Sequence, residues 1–288
     1  IKTPILLFAD DSLLLSQTAS GLQNVINSFC SYLDILGLEI NTSKTKCMIF
    51  RACRGKSYHF YAQGKKLETV RSIDYLGFRI IDKMTCCNHF LKLNITLKQR
   101  LGAILKLHAS STTKAVTPAL AVYRAQAQSA ALYGADLWGH NTNSSLTLTE
   151  NVFVRSLLKV PRRTPIIPLY WDLNLKQIMS IAAYRPLHYW IRLWTTPELM
   201  VYRLCLKDLL NLSPVCPWLL YIKKSLFSLN LTHFWSNPEN IPSTVIHTLK
   251  EAYWENYFLS FYTSRNSGPL TDRFLNYKPT PSFELFLD

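Results

Sequence analysis

Residues 5–16 read Ile-Leu-Leu-Phe-Ala-Asp-Asp-Ser-Leu-Leu-Leu-Ser, two short apolar runs interrupted by the adjacent carboxylates Asp10 and Asp11. Each run is too short for a helix and about the length of a buried strand, so the pattern predicts a β-hairpin with acids at its tip. Two ionised carboxylates mounted on buried strands repel one another unless a cation sits beside them. Magnesium suits such a pair, because it takes hard oxygen ligands and is commonly held by one or two carboxylates together with substrate phosphates. A turn tip without chemistry accounts for an isolated Asp-Asp pair as well, so the neighbouring residues decide.

Downstream, Ser20-Gly21-Leu22-Gln23 has the form of a capping box. Leu22, Val25, Ile26, Phe29, Cys30, Leu33 and Leu36 then make one apolar stripe that ends at Gly37. A strand is predicted over residues 44–50, which would set Lys44 and Lys46 on one face. Two short strands, 58–61 and 66–70, flank a turn at Gln63-Gly64. Over residues 73–81 comes Tyr75-Leu76-Gly77, where Gly77 has no Cβ and lets the backbone approach a ligand or simply ends a strand.

From Asn88 the pattern turns helical. Residues 91–107 place Leu93, Leu97, Leu101, Ile104 and Leu105 at helical spacing, with Lys92, Lys98, Arg100 and Lys106 around them. Residues 118–137 read as an Ala-rich helix ending near Gly134. The polar stretch 142–145 is the expected domain boundary. Beyond it, Arg162-Arg163 between Pro161 and Pro165 predicts an extended basic knuckle or a plain surface loop. Helices are expected at 175–193, 199–210, 218–229 and 243–262, with Trp190, Trp194, Trp218, Trp235 and Trp254 as core, and an irregular end from Gly268.

The order of these segments resembles a known family. Phe8-Ala9-Asp10-Asp11 is similar to the aromatic-Ala-Asp-Asp box of reverse transcriptases. Asn41-Thr42-Ser43-Lys44-Thr45-Lys46-Cys47-Met48 resembles the Lys-bearing strand entry that follows it, and Tyr75-Leu76-Gly77-Phe78 the primer-grip hairpin. Leu132-Tyr133-Gly134-Ala135-Asp136-Leu137-Trp138-Gly139 and the run from Val152 to Pro165 resemble the non-LTR, LINE-type group, so that the likeness extends over residues 1–195.

The resemblance implies an α+β fold. Residues 1–87 would be a partial polymerase palm (β-hairpin, helix, strands), 88–141 a helical thumb, 146–267 a C-terminal helical region and 268–288 an irregular tail. It implies RNA-directed DNA polymerase activity by two-metal nucleotidyl transfer. Asp10 and Asp11 would be metal ligands and catalytic carboxylates. Lys44 would be the general acid for the pyrophosphate leaving group, with Lys46 second; a solvated lysine pair fits the same residues. Tyr75, Leu76 and Gly77 would hold the primer end, while Lys92, Lys98, Arg100, Arg162 and Arg163 would touch the phosphate backbone. Implied partners are an RNA template, a DNA primer and deoxynucleoside triphosphates, with Mg2+ as cofactor. The family's third Asp, its fingers and its nucleotide-selecting aromatic lie upstream of the box, and only nine residues precede Asp10. A palm and thumb fragment, inactive alone, is therefore expected; a non-catalytic basic nucleic-acid-binding remnant is the alternative.

Composition bounds the partners. There are 32 Lys and Arg against 18 Asp and Glu, a net charge of +14, which favours a polyanion. Residues 88–165 alone carry 10 basic and 2 acidic side chains, so the middle third is the expected backbone-contacting region. Seven Cys at irregular spacing predict reduced thiols, and Cys86-Cys87-Asn88-His89 lacks the second ligand pair of a zinc knuckle. No apolar run approaches the roughly 18 residues of a membrane span. Ile1-Lys2-Thr3-Pro4 has no signal-peptide pattern, and a start in mid-domain and intracellular residence are expected; nuclear residence is what the resemblance implies, from where such elements integrate, and no targeting signal marks it.

Overall fold

The computed structural model describes residues 5–50, 57–83, 85–141, 143–197, 200–211 and 216–236. The chain divides into two compact units, Ile1–His89 and Phe90–Asp288.

In the first unit, β1 (Ile5–Phe8) and β2 (Asp11–Leu14) form an antiparallel hairpin in which Phe8 pairs with Asp11 across the two-residue turn Ala9-Asp10. The acids do cap a hairpin, but its flanks are not buried. Leu7 and Phe8 are 68% and 61% exposed. Only the Leu14 end packs into the unit's small core, which Ile26, Cys30, Cys47, Phe60, Ala62 and Leu67 form.

Helix α1 (Ala19–Ile35) lies against this core through Ile26 and Cys30. Its cap is Thr18, not the expected Ser20. Thr18 has the extended backbone a cap requires, and its Oγ1 accepts from the Gly21 N–H at 3.1 Å, whereas Ser20 is already helical. Gln23, the expected box partner, is used elsewhere. Its side-chain amide mimics a strand backbone, donating to the Tyr61 carbonyl at 2.7 Å and accepting from the Tyr61 N–H at 3.0 Å.

The remaining strands pair in twos: β3 (Lys46–Met48) is parallel to β6 (Glu68–Val70), β4 (Tyr61–Ala62) antiparallel to β5 (Lys65–Lys66), and β7 (Ser72–Tyr75) antiparallel to β8 (Phe78–Ile81). Both tight antiparallel hairpins here turn through an X-Gly pair with two positive φ angles, Gln63-Gly64 at 47° and 74° and Leu76-Gly77 at 47° and 79°. That geometry is a type I′ turn, whose second residue is preferentially glycine.

The second unit is helical. Helix α2 (Cys87–Ser110) spans the division and buries Phe90, Leu93, Leu97, Leu101 and Ile104. The Ala-rich stretch is one continuous helix from Val116 to Ala131, made of α3 (Val116–Val122), a π-helical segment (Tyr123–Gln128) and α4 (Ser129–Ala131); it stops near Gly134 as expected, and Gly134, at φ 68°, precedes the short α5 (Ala135–Trp138). Then come α6 (Ser144–Leu157), capped by Asn143, α7 (Ile166–Asp172), α8 (Ile178–Trp194), α9 (Val201–Leu210) and α10 (Pro217–Ser228).

Pro186 inside α8 has no N–H to give the Ala182 carbonyl. Gly139 packs against that carbonyl so closely that a Cβ on it would lie 1.9 Å from the oxygen. The core also holds Trp138, Phe153 and Trp190, the last stacked on Trp235 at 5.7 Å.

The fold is mixed α+β, with helices predominating over small two-stranded sheets. Among the described residues, no helix is long and apolar enough to cross a membrane. The helix expected at 243–262, Trp254 and the end from Gly268 lie outside the described residues.

Candidate functional site

The carboxylate tip is built by the shortest possible hairpin. Ala9 takes φ 51°, a left-handed conformation that costs a residue with a Cβ and is usually left to glycine. Asp10 is the second turn residue and Asp11 the first of β2, and both are exposed. Their oxygens are the hard donors that a divalent cation takes, so the pair fits magnesium in kind. It does not fit in number. Among the described residues, no group of three or more His, Cys, Asp or Glu side chains could hold a metal ion.

Lys44 is not on the strand as expected. Asn41 builds a turn around it, its Oδ1 accepting from Ser43 Oγ at 2.6 Å and from the Lys44 N–H at 3.2 Å, and β3 begins two residues later. Lys44 and Lys46 therefore do not share a strand face. Lys46, opposite Glu68 in the ladder, forms an ion pair with it, while Lys44 is exposed in the turn.

Tyr75, Leu76 and Gly77 occupy the tip of the β7–β8 hairpin. Asp74 and Arg79 face each other one step back and join through two hydrogen bonds, at 2.9 and 2.5 Å. His89 stacks on Phe78, with ring centroids 4.0 Å apart, and accepts from the Arg79 N–H at 3.3 Å. The turn geometry alone requires Gly77; no ligand need be invoked for it. Asp10, Asp11, Lys44 and Tyr75 thus all stand on the first unit, at three separate turns.

The expected backbone-contacting cations belong to the second unit. Lys92, Lys98 and Arg100 lie on α2. Arg162 and Arg163 are exposed in a tight turn between α6 and α7, closed by the Thr164 N–H on the Pro161 carbonyl at 2.9 Å, and so are not an extended knuckle.

Sequence reading missed one carboxylate altogether. Glu150, on α6, is fully buried. Both of its oxygens accept from the Ile178 N–H at the start of α8, at 3.2 and 3.0 Å, and one accepts from the Tyr123 hydroxyl. Burial pushes its carboxyl up to about 7, against the opposing pull of those donors. Tyr123 is itself raised well above the usual phenol range, by burial first and by the neighbouring Glu150 next. A signal for this existed: Glu150 falls in step with Leu146, Phe153, Val154 and Leu157, on the buried stripe of an amphipathic helix.

Comparison with known proteins finds a likeness in the first of these regions. Residues 1–80 match the family model of reverse transcriptase (RNA-dependent DNA polymerase). That span, less than a third of the chain, holds the Phe8-Ala9-Asp10-Asp11 box, the Lys44 turn and the Tyr75-Leu76-Gly77 tip. No curated protein and no solved structure matches the chain.

Proposed function

We propose that the chain is the palm and thumb part of a reverse transcriptase from a non-LTR, LINE-type retrotransposon. The observation that carries this is the aromatic-Ala-Asp-Asp box set at the tip of a two-residue hairpin, inside the span that matches the family. In this reading Asp10 and Asp11 hold the divalent cation, magnesium. A cation held there would supply charge neutralisation at the phosphates and would lower the pKa of a primer 3′ hydroxyl. Lys44 protonates the departing pyrophosphate, and Tyr75, Leu76 and Gly77 hold the primer end. Lys92, Lys98, Arg100, Arg162 and Arg163 engage the template–primer backbone, and nuclear residence follows from where such elements integrate.

Two exposed carboxylates make a weak magnesium site, and these 288 residues alone are proposed not to polymerise. That no third acid joins the pair among the described residues favours a second reading, a nucleic-acid-binding remnant without catalysis. Incubating the purified chain with a primed RNA template, magnesium and deoxynucleoside triphosphates tests both. Salt-sensitive binding of the template–primer, unchanged by Asp10→Asn and without extension, is the expected result. Templated, magnesium-dependent extension that Asp10→Asn abolishes would overturn the inactivity, and failure to bind even at low salt would overturn the family reading.

A further inference from the structure

Between the end of α2 and α3 lies a cleft of about 130 Å³ whose walls are aliphatic. Ile104 and Leu107 come from α2, and Pro118, Ala119 and Val122 from α3. The loop joining the two helices closes one end, and local bonds hold it there. The Ser111 N–H donates to the Leu107 carbonyl at 3.0 Å, Lys114 takes φ 52°, and its ammonium donates to the Ala109 carbonyl. The Ser111 and Thr113 hydroxyls, which also face the cleft, bond to one another at 3.2 Å. Ile104 and Ala119 are 3% and 7% exposed, Leu107 and Val122 65% and 39%, so the cleft runs from the core out to an open mouth.

One side chain in the wall is out of keeping with the rest. His108 lines the cleft and is 8% exposed, and among the described residues its ring has no hydrogen-bond partner. A buried imidazole without a partner costs free energy that a ligand's polar group returns. In its neutral form the ring has one N–H donor and one bare nitrogen acceptor. A hydroxyl both gives and accepts a hydrogen bond, so it answers whichever nitrogen faces the cleft; a carbonyl or an ammonium answers only one of them.

The size of the space sets the rest of the ligand. An aliphatic-walled cavity of roughly 150 Å³ takes one benzene, so this cleft holds a single six-membered ring and is too small for an indole or a purine. A pyrimidine base would fit in size, but against aliphatic walls most of its edge groups would be left without partners. We propose that the cleft is a binding site for a small phenol, with the ring against Leu107, Pro118 and Val122 and the hydroxyl hydrogen-bonded to the His108 imidazole. The site belongs to the second unit, outside residues 1–80, and does not depend on the function proposed above.

The test titrates the whole chain with p-cresol and follows its histidine-ring and methyl resonances by NMR, with His108 assigned from its loss in His108→Phe. Saturable one-site shifts at His108, Leu107 and Val122 are expected, with a Kd of about 1 mM, in keeping with a ligand this small. Toluene has the ring without the hydroxyl and should bind about fivefold more weakly, the worth of one hydrogen bond. His108→Phe should lose that preference. Val122→Phe, which sets a ring in the mouth from an exposed position, should abolish binding while leaving the unfolding midpoint unchanged. The comparison of p-cresol with toluene is made on the wild type, so it decides the matter even where a variant fails to fold. Shifts that grow without saturation, toluene binding as tightly as p-cresol, or undiminished binding by folded Val122→Phe would each overturn the site. Tighter binding of N-acetyltyrosinamide than of p-cresol would assign the cleft to a side chain of a protein partner and overturn the small-molecule reading.

Discussion

The molecule sets out two carboxylate sites that are opposites. At the β1–β2 tip, Asp10 and Asp11 stand in solvent on a hairpin whose own apolar side chains are largely exposed. In the second unit Glu150 is wholly enclosed, bonded to a helix start and a tyrosine, with no cation among its hydrogen-bond partners. The tip spends almost no stability and is placed to meet something outside the chain. Glu150 meets nothing outside, and its chemistry is spent on holding α6, the π segment and α8 together. A carboxylate's environment, more than its identity, decides whether it serves a partner or the fold.

The sharpest way to break this contrast is to remove the buried group. Glu150→Ala strands the Ile178 N–H and the Tyr123 hydroxyl and leaves a cavity, at a cost of about 4 kcal/mol. Glu150→Gln keeps the volume and one acceptor and should cost about 1 kcal/mol. Chemical denaturation at pH 5, followed by a probe in the second unit, checks both. A loss under about 1 kcal/mol in the alanine variant would mean the network does not organise the unit.

Next in size is a pH effect that only the buried site should show. With the folded carboxyl at about 7 and the unfolded one near the ordinary 4.5, the unfolded chain releases its proton first as pH rises. The stabilising contribution of protonated Glu150 is complete below the unfolded value. It is eroded between there and about 7, and beyond that stays lost. The whole change is about 3 kcal/mol, at 1.36 kcal/mol per pKa unit. The wild-type unfolding midpoint should therefore fall from pH 4.5 to pH 7.5, and Glu150→Gln should flatten that part of the profile. An equal fall in the glutamine variant would place the titrating group elsewhere.

The same contrast shows what a chain discloses by itself. The acidic hairpin, helix α1 with its stop at Gly37 and the turn at Gln63-Gly64 were legible because local chemistry sets them: apolar runs, a stripe, an X-Gly pair; the hairpin at Leu76-Gly77 came only with the resemblance. The capping box failed because Ser20 and Thr18 both offer a hydroxyl near the helix start, and only the backbone entering the helix chooses between them. Lys44 was misplaced because the Asn41 side chain competes with the strand, a local bond that alternation cannot register. The Pro186–Gly139 contact and the Glu150 network depend on residues tens of positions apart. The exposure of Leu7 and Phe8 was hidden likewise, since an apolar run does not say what covers it.

The smallest effect is expected where the sequence speaks loudest. Asp10→Asn should change stability by no more than about 0.5 kcal/mol, because the side chain is exposed and asparagine also suits a tight turn. The strain of the hairpin resides in Ala9, whose positive φ the substitution leaves untouched. Denaturation of Asp10→Asn beside the wild type, at the same pH values used for Glu150, should give superimposable curves. A stabilisation well above 0.5 kcal/mol would instead reveal that Asp10 and Asp11 repel one another strongly at the tip, which is the condition under which a cation is drawn to them. Magnesium added to the wild type would then cancel the difference, and its failure to do so would leave the tip an ordinary turn.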